Sequence, residues 1–522
     1  TTEIYTLSLH DALPIFLSFE RKFGDHQVNA IAGINRETID NDKFSAYRRY
    51  FLSNAIDYLF AGGEQEKNND GSAWKRARLN YFGRFGYNYK SKYIAEFLWR
   101  YDGSYMFPES ERFGFFPGAM AGWVVSEENF WKENVPVINY FKIRASYGQM
   151  GNDNIYYDDK LQEYQYFSTY SFGTYIVNDK LAKTLFESRV PNEMITWEVA
   201  NNYNLGFDFQ FLQGKLNFEF DIFKNRRNSI LWRKNASIPQ STGMTLPAEN
   251  IGKVDNKGWE FNLGYRGKVG DLGYTVGVNG GYAKNKIIFW DEAPGAPAWQ
   301  QSTGKPIKTD IYYVYDGVFR DMEDIANNKL DYSAITKTLR PGDMKYKDFN
   351  GDGKITPDDK VRRDKNSDPT FQGGFNFSLT YKDFDLSVLF QGATGGEIRV
   401  GTDESGSIGN FVEEFYDKRW SISNPSSVYP RLTDRGNQYY SYNNTYWMRS
   451  TDYLRLKNVE IGYNLASSIC SKIGIGSLRL YANGMNLITW SKIKMYDPEA
   501  VNALGQYYPQ ARLINFGALL SF

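Results

Sequence analysis

The chain has 522 residues, with 61 basic and 61 acidic side chains, two His, one Cys, 12 Trp, 40 Tyr and 37 Phe. The charge balance speaks against a nucleic-acid binder, which carries a basic excess. A lone Cys470 with only His10 and His26 excludes a disulfide framework and a zinc site built from Cys or several His. Mean hydropathy is −0.55, and no apolar run of about eighteen residues occurs, which leaves no room for a helical membrane span. A transmembrane barrel stays open, because its strands alternate apolar and polar residues and average to low hydropathy.

Residues 1–15, TTEIYTLSLHDALPI, lack the aromatic alternation that starts near Phe16 and show no secretory pattern. Two readings stand for them: a non-native scar outside the barrel region 16–522, or a strand end followed by a turn at Asp11-Ala12-Leu13-Pro14. Beyond Phe16 the strands share one grammar. In Tyr93–Asp102, Tyr93, Ala95, Phe97, Trp99 and Tyr101 alternate with Glu96, Arg100 and Asp102, although Ile94 and Leu98 interrupt the polar face. In Tyr203–Phe211, Tyr203, Leu205, Phe207, Phe209 and Phe211 oppose Asn204, Gly206, Asp208 and Gln210. After a turn at Gln213-Gly214, Leu216, Phe218, Phe220 and Ile222 alternate with Asn217, Glu219 and Asp221. Phe375, Phe377, Leu379 and Tyr381 alternate with Asn376, Ser378 and Thr380. At the end, Ile514, Phe516, Ala518, Leu520 and Phe522 share one face, and a terminal aromatic closing such a strand resembles the C-terminal signal by which barrel-assembly machinery reads outer-membrane proteins; an ordinary final strand of a soluble sheet is the alternative.

Short turns are expected near Gly24-Asp25, Lys90-Ser91, Gln213-Gly214, Val269–Asp271 and Lys382-Asp383, with looser ones at 126–137 and 466–476. Long polar segments are expected at 39–75, 104–115, 150–195, 228–256, 289–369, 395–449 and 490–510. Short and long connections alternate, as periplasmic turns and extracellular loops do in outer-membrane barrels. The count is about fifteen strands. An odd number does not close the usual bacterial barrel, so further strands are expected on the N-terminal side. The fold class is all-β, an antiparallel transmembrane barrel with long extracellular loops.

The sharpest local motif is DFNGDGKITPDD at 348–359. It matches a calcium loop: Asp348, Asn350 and Asp352 at positions 1, 3 and 5, Gly353 at 6, the Lys354 carbonyl at 7 and Asp359 at 12. Ile355 is expected to pack inward. Pro341-Gly342 and Pro357 argue against flanking helices, so the loop is either an isolated Ca²⁺ site that stiffens an external segment or a solvated acidic turn. Cys470 reads as a packed thiol in a short turn, and His26 has no nucleophile pattern around it. No nucleophile elbow, P-loop or zinc-protease motif occurs, and adjacent acids such as Glu127-Glu128 and Glu413-Glu414 lack a defined spacing across a cleft. The chain is not expected to be an enzyme. Aromatics of the long segments (Tyr156-Tyr157, Trp299, Tyr312-Tyr313, Tyr439-Tyr440, Tyr446-Trp447) are expected mainly to pack the loops, with ligand stacking as the sharper role.

Stretches along nearly the whole chain from Phe16 carry a resemblance. They include WRYDGSYMFPESERFGFFPGAMAGWVVSEENFW (99–131), FKIRASYGQMGNDNI (141–155), WEVANNYNLGFDFQFLQGKLNFEFDIFKNRRNSIL (197–231), PAENIGKVDNKGWEFNLGY (247–265), PGDMKYKDFNGDGKITPDDK (341–360), YLRLKNVEIGYNL (453–465) and LRLYANGMNLITWSK (478–492). In order and spacing they resemble the C-terminal part of SusC/RagA-type TonB-dependent outer-membrane transporters. The resemblance implies a 22-stranded barrel in a Gram-negative outer membrane, with an N-terminal plug and a TonB-contacting segment that lie outside this sequence. It implies a SusD-like surface lipoprotein as lid and oligosaccharides or peptides as cargo, with no catalytic cofactor. The alternatives are a passive porin or surface adhesin without energy coupling, and a soluble carbohydrate-binding β protein.

Overall fold

The computed structural model describes residues 2–51, 53, 55–56, 58–157, 160–177, 179–234, 246–401, 413–425, 428–432, 443–472, 474–500, 508 and 510–522; the side chains of 2–11, 157 and 160 fall outside that description. Fifteen strands form one sheet. They are β1 (Thr2–Phe23), β2 (His26–Tyr47), β3 (Asn68–Tyr89), β4 (Tyr93–Ser104) and β5 (Phe113–Val124). Then come β6 (Ile138–Asn152), β7 (Glu198–Phe211), β8 (Leu216–Arg233), β9 (Ala248–Val269) and β10 (Leu272–Phe289). The last are β11 (Phe371–Tyr381), β12 (Phe384–Thr394), β13 (Tyr453–Asn464), β14 (Ser477–Ser491) and β15 (Leu513–Ser521). Each strand neighbours the one before and after it in the chain. The contacts divide the chain into two compact units. One holds residues 1–128, 143–204 and 225–253, and the other holds 129–142, 205–224 and 254–522.

The ladder explains the apolar face. Tyr274, Val276 and Val278 of β10 stand opposite Leu379, Phe377 and Phe375 of β11. Those in turn stand opposite Leu386, Val388 and Phe390 of β12. Side chains of period two therefore merge into one apolar surface, while Ser378 and Thr380 meet Ser387 and Asp385 on the other. The register continues into β13 only because of a bulge at Lys457. Before it Leu456 opposes Phe390; after it Val459, Ile461 and Tyr463 oppose Val388, Leu386 and Phe384. The apolar parity of β13 switches from even to odd there, and the extra residue keeps both halves on one face.

Many of these apolar side chains are exposed, among them Tyr93, Phe97, Tyr203, Leu205, Phe375, Ile461, Leu480 and Phe516. The buried apolar residues gather mainly in and beside the connections. In the first unit Met106, Phe107, Phe116, Ile155, Ile195, Trp197, Leu231 and Ala248 form one cluster. In the second, Tyr313, Phe319, Tyr332, Met344, Tyr346, Ile355, Val400, Phe415, Tyr446 and Ile493 belong to another. A sheet with its apolar face bare and its core in the loops is built to be solvated by lipid.

The five tight turns lie where expected. Lys90 and Ser91 both take positive φ (55° and 56°), the conformation of a primed hairpin turn that matches strand twist. Two expected loops are shorter than anticipated. β2 and β3 stay paired from His26–Tyr89 out to Tyr47–Asn68, so 39–75 shrinks to 48–67. β8 and β9 likewise narrow 228–256 to 234–247. In 38–47 and 68–77 both faces are largely polar, so no alternation marks the strand; backbone hydrogen bonding extends it, with an exposed Lys75–Asp40 ion pair across the strands. The turn considered at Asp11–Pro14 does not form: these residues continue β1, with Pro14 opposite Asn35. β1 is paired on one side, so a residue without an N–H is tolerated.

β11 is 11 residues long, the length of a tilted membrane strand. In the full-length protein reconstituted in lipid vesicles, Phe377→Arg should lower unfolding free energy by about 2–4 kcal/mol. Ser378→Arg, on the polar face, should change it far less. Equal losses from the two would contradict the assignment of faces.

Candidate functional site

On the polar face of the second unit, alternation brings acids and amides of adjacent strands together. Glu219 and Asp221 of β8, Glu260 and Asn262 of β9, Asn279 of β10, Gln372 of β11 and Gln391 of β12 surround a concavity of about 580 Å³. Glycines open it. On this face Gly281 stands opposite Gln372, and Gly374 opposite Asn279 and Gln391. A Cβ on Gly374 would sit 3.2 Å from Asn279 Oδ1 and 3.4 Å from the Phe390 carbonyl oxygen. A side chain there would intrude among the amides, so glycine keeps the floor open. The lining offers carboxylates and carboxamides, suited to many weak hydrogen bonds with a polar solute.

Arg455 sits at this wall and is 1% exposed. Its Nη2 donates to both Asp497 carboxylate oxygens (2.9 and 2.8 Å) and its Nε to Thr489 Oγ1 (2.9 Å). Its Nη1 donates to Glu499 and Gln510. Tyr453 Oη donates to Glu499 at 2.9 Å, and Gln391 Nε2, on a residue that lines the concavity, lies 3.5 Å from the same carboxylate. One buried guanidinium thus ties the 492–512 connection to β13 and β14. In the first unit, Arg76 makes a bidentate pair with Glu163 (2.6 and 3.2 Å). Arg78 makes another with Asp153 (2.8 and 3.2 Å), pinning the 153–197 connection to β3.

The 348–359 loop closes on itself. Asp348 Oδ1 and Oδ2 accept from the N–H groups of Gly351 (2.7 Å) and Gly353 (2.9 Å). Asn350 Oδ1 accepts from Asp352 N–H, and Asp352 Oδ1 from Lys354 N–H. Asp359, fully buried, accepts from Phe349 and Thr356 N–H, both at 2.8 Å, and completes a reciprocal cap with Thr356 on the short 3₁₀ turn Pro357–Asp359. Gly353 takes φ +80° and Ile355 is fully buried in the loop core, as expected. The backbone at Lys354 pairs with that at Asp331: Asp331 N–H donates to the Gly353 carbonyl and Ile355 N–H to that of Asp331. Among the described residues, no three His, Cys, Asp or Glu side chains converge at metal-holding spacing.

The loop aromatics pack on the chain. Tyr313 stacks on Tyr346 with centroids 4.9 Å apart, Trp299 lies 5.3 Å from Phe349, and Trp447 packs between Phe415 and Tyr446. Tyr156 is exposed; the Tyr157 side chain and Tyr439-Tyr440 lie outside the described residues. Cys470 is buried in the short helix Ser467–Lys472, and His26 Nδ1 lies 2.8 Å from Tyr87 Oη. In β15, Ile514, Phe516, Ala518 and Leu520 stand opposite Gly484, Ala482, Leu480 and Leu478 on one face.

A sheet with a bare apolar face, a polar inner trough and long connections at one end defines a membrane β-barrel wall. The chain belongs to the TonB-dependent receptor-like β-barrel family, whose model matches residues 11–487. It is 29% identical over 506 residues to TonB-dependent receptor P3 of Formosa agariphila, covering 93% of this chain and 48% of that protein. It is 26% identical over 473 residues to the TonB-dependent receptor SusC of Bacteroides thetaiotaomicron, covering 86% and 44%. Structures of the RagAB peptide transporter match with TM-scores of 0.77 and 0.78 at 20% identity, covering all of this chain and 56% and 55% of those chains. The chain therefore spans about half the length of the curated relatives it matches.

Two measurements follow. Asp359→Ala strands the amides of Phe349 and Thr356 and should cost about 1–3 kcal/mol per unsatisfied group; hydrogen exchange across 349–356 should accelerate. Burial pushes the Glu163 carboxyl up, but the hydrogen bonds from Arg76 and Tyr105 outweigh it and leave it below the usual 4.5. A depressed folded-state value means the clamp contributes fully above pH 4.5 and fades as pH falls through the folded value. Exchange in 160–168, corrected for its intrinsic pH dependence, should rise on acidification, and Glu163→Gln should abolish that rise.

Proposed function

We propose that this chain is the C-terminal barrel portion of an outer-membrane importer of the SusC/RagA type. It works in a Gram-negative outer membrane, takes up oligosaccharides or peptides under a SusD-like surface lipoprotein, and draws energy from the TonB system through a region outside this sequence. The observation that carries the reading is the pairing of an open polar trough with a neighbouring loop held by a buried Arg455 network. The trough offers a polar surface a hydrated solute can cross by exchanging many weak bonds. The loop is locked at its root by Asp497, Glu499 and Gln510, and import needs no covalent chemistry on the cargo. The family match and the fold likeness to the RagAB peptide transporter support the class. The exposed closing strand, with Phe516 and Phe522 outermost, is the surface offered to barrel-assembly machinery and then to lipid.

The test is uptake of fluorescent oligosaccharide and peptide pools by cells carrying the full-length protein and its lipoprotein. Uptake should vanish when TonB is deleted or the proton gradient collapsed. Uptake that persists in de-energised cells would replace this reading with a passive porin.

A further inference from the structure

We infer that the hairpin formed by Thr169–Val177 and Lys180–Arg189, within the connection between β6 and β7, is the surface on which a second protein chain seats. This rests on the lipoprotein-lid reading above and names the part of the chain that the lid grips. Among the described residues, the two hairpin strands pair with each other and with no other strand. Its register places Phe172 opposite Leu185, Ile176 opposite Leu181, and Tyr170 opposite Glu187. Period two then puts Tyr170, Phe172, Ile176, Leu181 and Leu185 on one face. These five are between 60% and 82% exposed.

Other connections also carry exposed apolar residues, among them Tyr58, Phe60 and Ile422, but cover much of the rest. Leu161 and Tyr166 of this same connection pack against the first unit's core, and the loops of the second unit bury Phe319, Tyr346 and Ile355 almost completely. What distinguishes the hairpin is that its register aligns five exposed apolar side chains on one paired face. Its root is fixed: Arg189 Nη2 donates to the Tyr164 carbonyl at 2.8 Å, and Ser188 Oγ to that of Thr169 at 3.0 Å. An isolated two-stranded hairpin is only marginally stable in water, and this one presents a patch of the kind that marks an interface.

Area indicates the occupant. Five side chains of this size and exposure leave roughly 600 Å² bare, most of the about 800 Å² that each partner contributes to a stable protein complex. Lys183 and Glu187 stand on the apolar face, and Asp179 and Lys180 lie at the tip, all exposed. The fitting occupant is a water-soluble protein surface with an apolar groove edged by charges of both signs. Fixed at its root and apolar along its length, the hairpin can enter such a groove without refolding.

The test uses the full-length protein purified from its native membrane with its lipoprotein. The double variant Phe172→Ser/Leu185→Ser should reduce co-purified lipoprotein at least tenfold, while heat-modifiable barrel folding and surface level stay unchanged. Independently, p-benzoylphenylalanine in place of Phe172, a milder change, should cross-link to the lipoprotein. Cross-links to a second copy of this chain or to lipid would overturn the inference, as would undiminished co-purification of the double variant. Both leave the lid reading standing if the lipoprotein still co-purifies. If no lipoprotein accompanies even the unaltered protein, the lid reading fails first and this inference falls with it.

Discussion

Everything in this fold depends on keeping each strand's backbone paired while its apolar face looks outward. In hydrocarbon, an unpaired N–H or carbonyl finds no water, so each strand needs neighbours and a register that keeps every apolar residue on the same side. The β10–β11–β12 ladder meets that condition by simple alternation. β13 meets it by a bulge: its sequence changes parity at Lys457, and without the extra residue half of its apolar side chains would point into the trough. The constraint reaches single residues, because a one-residue slip inverts a whole strand.

Since the sheet's apolar face is given to lipid, it supplies little of the ordinary core, and the connections supply most of it. That inverts the usual relation between elements and loops. Tyr313, Tyr332, Tyr346 and Tyr446 are buried in segments that are mostly irregular. The 348–359 loop shows how such segments stay ordered. Its acidic side chains collect the amide groups of tight turns, and Ile355 anchors the result in the core. The same carboxylates that spell a cation-binding pattern here replace the hydrogen bonds that a strand or helix would otherwise provide.

The polar face follows from the same alternation but gains function from its glycines and from Arg455. Gly281 and Gly374 leave amides and carboxylates around open space. Arg455 holds a returning connection against that wall through two carboxylates and a threonine. Removing one partner would leave a buried charge uncompensated, which is why such a network behaves as a fixed point rather than a hinge. A capture surface can be mobile at its tips only if its roots are fixed.

Strand number, turn positions and the identity of the outward face were legible in the sequence, because period two and turn chemistry act over a few residues. So were the burial of Ile355 and Cys470. The lengths of β2, β3, β8 and β9 were not, since their outer ends alternate weakly and are held by ladder bonds that leave no mark on composition. The Arg455 network and the Arg76–Glu163 and Arg78–Asp153 clamps were also hidden. Each joins residues tens of positions apart, and a lone Arg on a polar face looks like any solvated charge until a loop returns to it. The sequence by itself determined a membrane-facing antiparallel sheet with long connections at one end. Tertiary structure decided which polar residues meet, which loop aromatics are buried and which hairpin is left bare, because those outcomes depend on the return path of each connection in space.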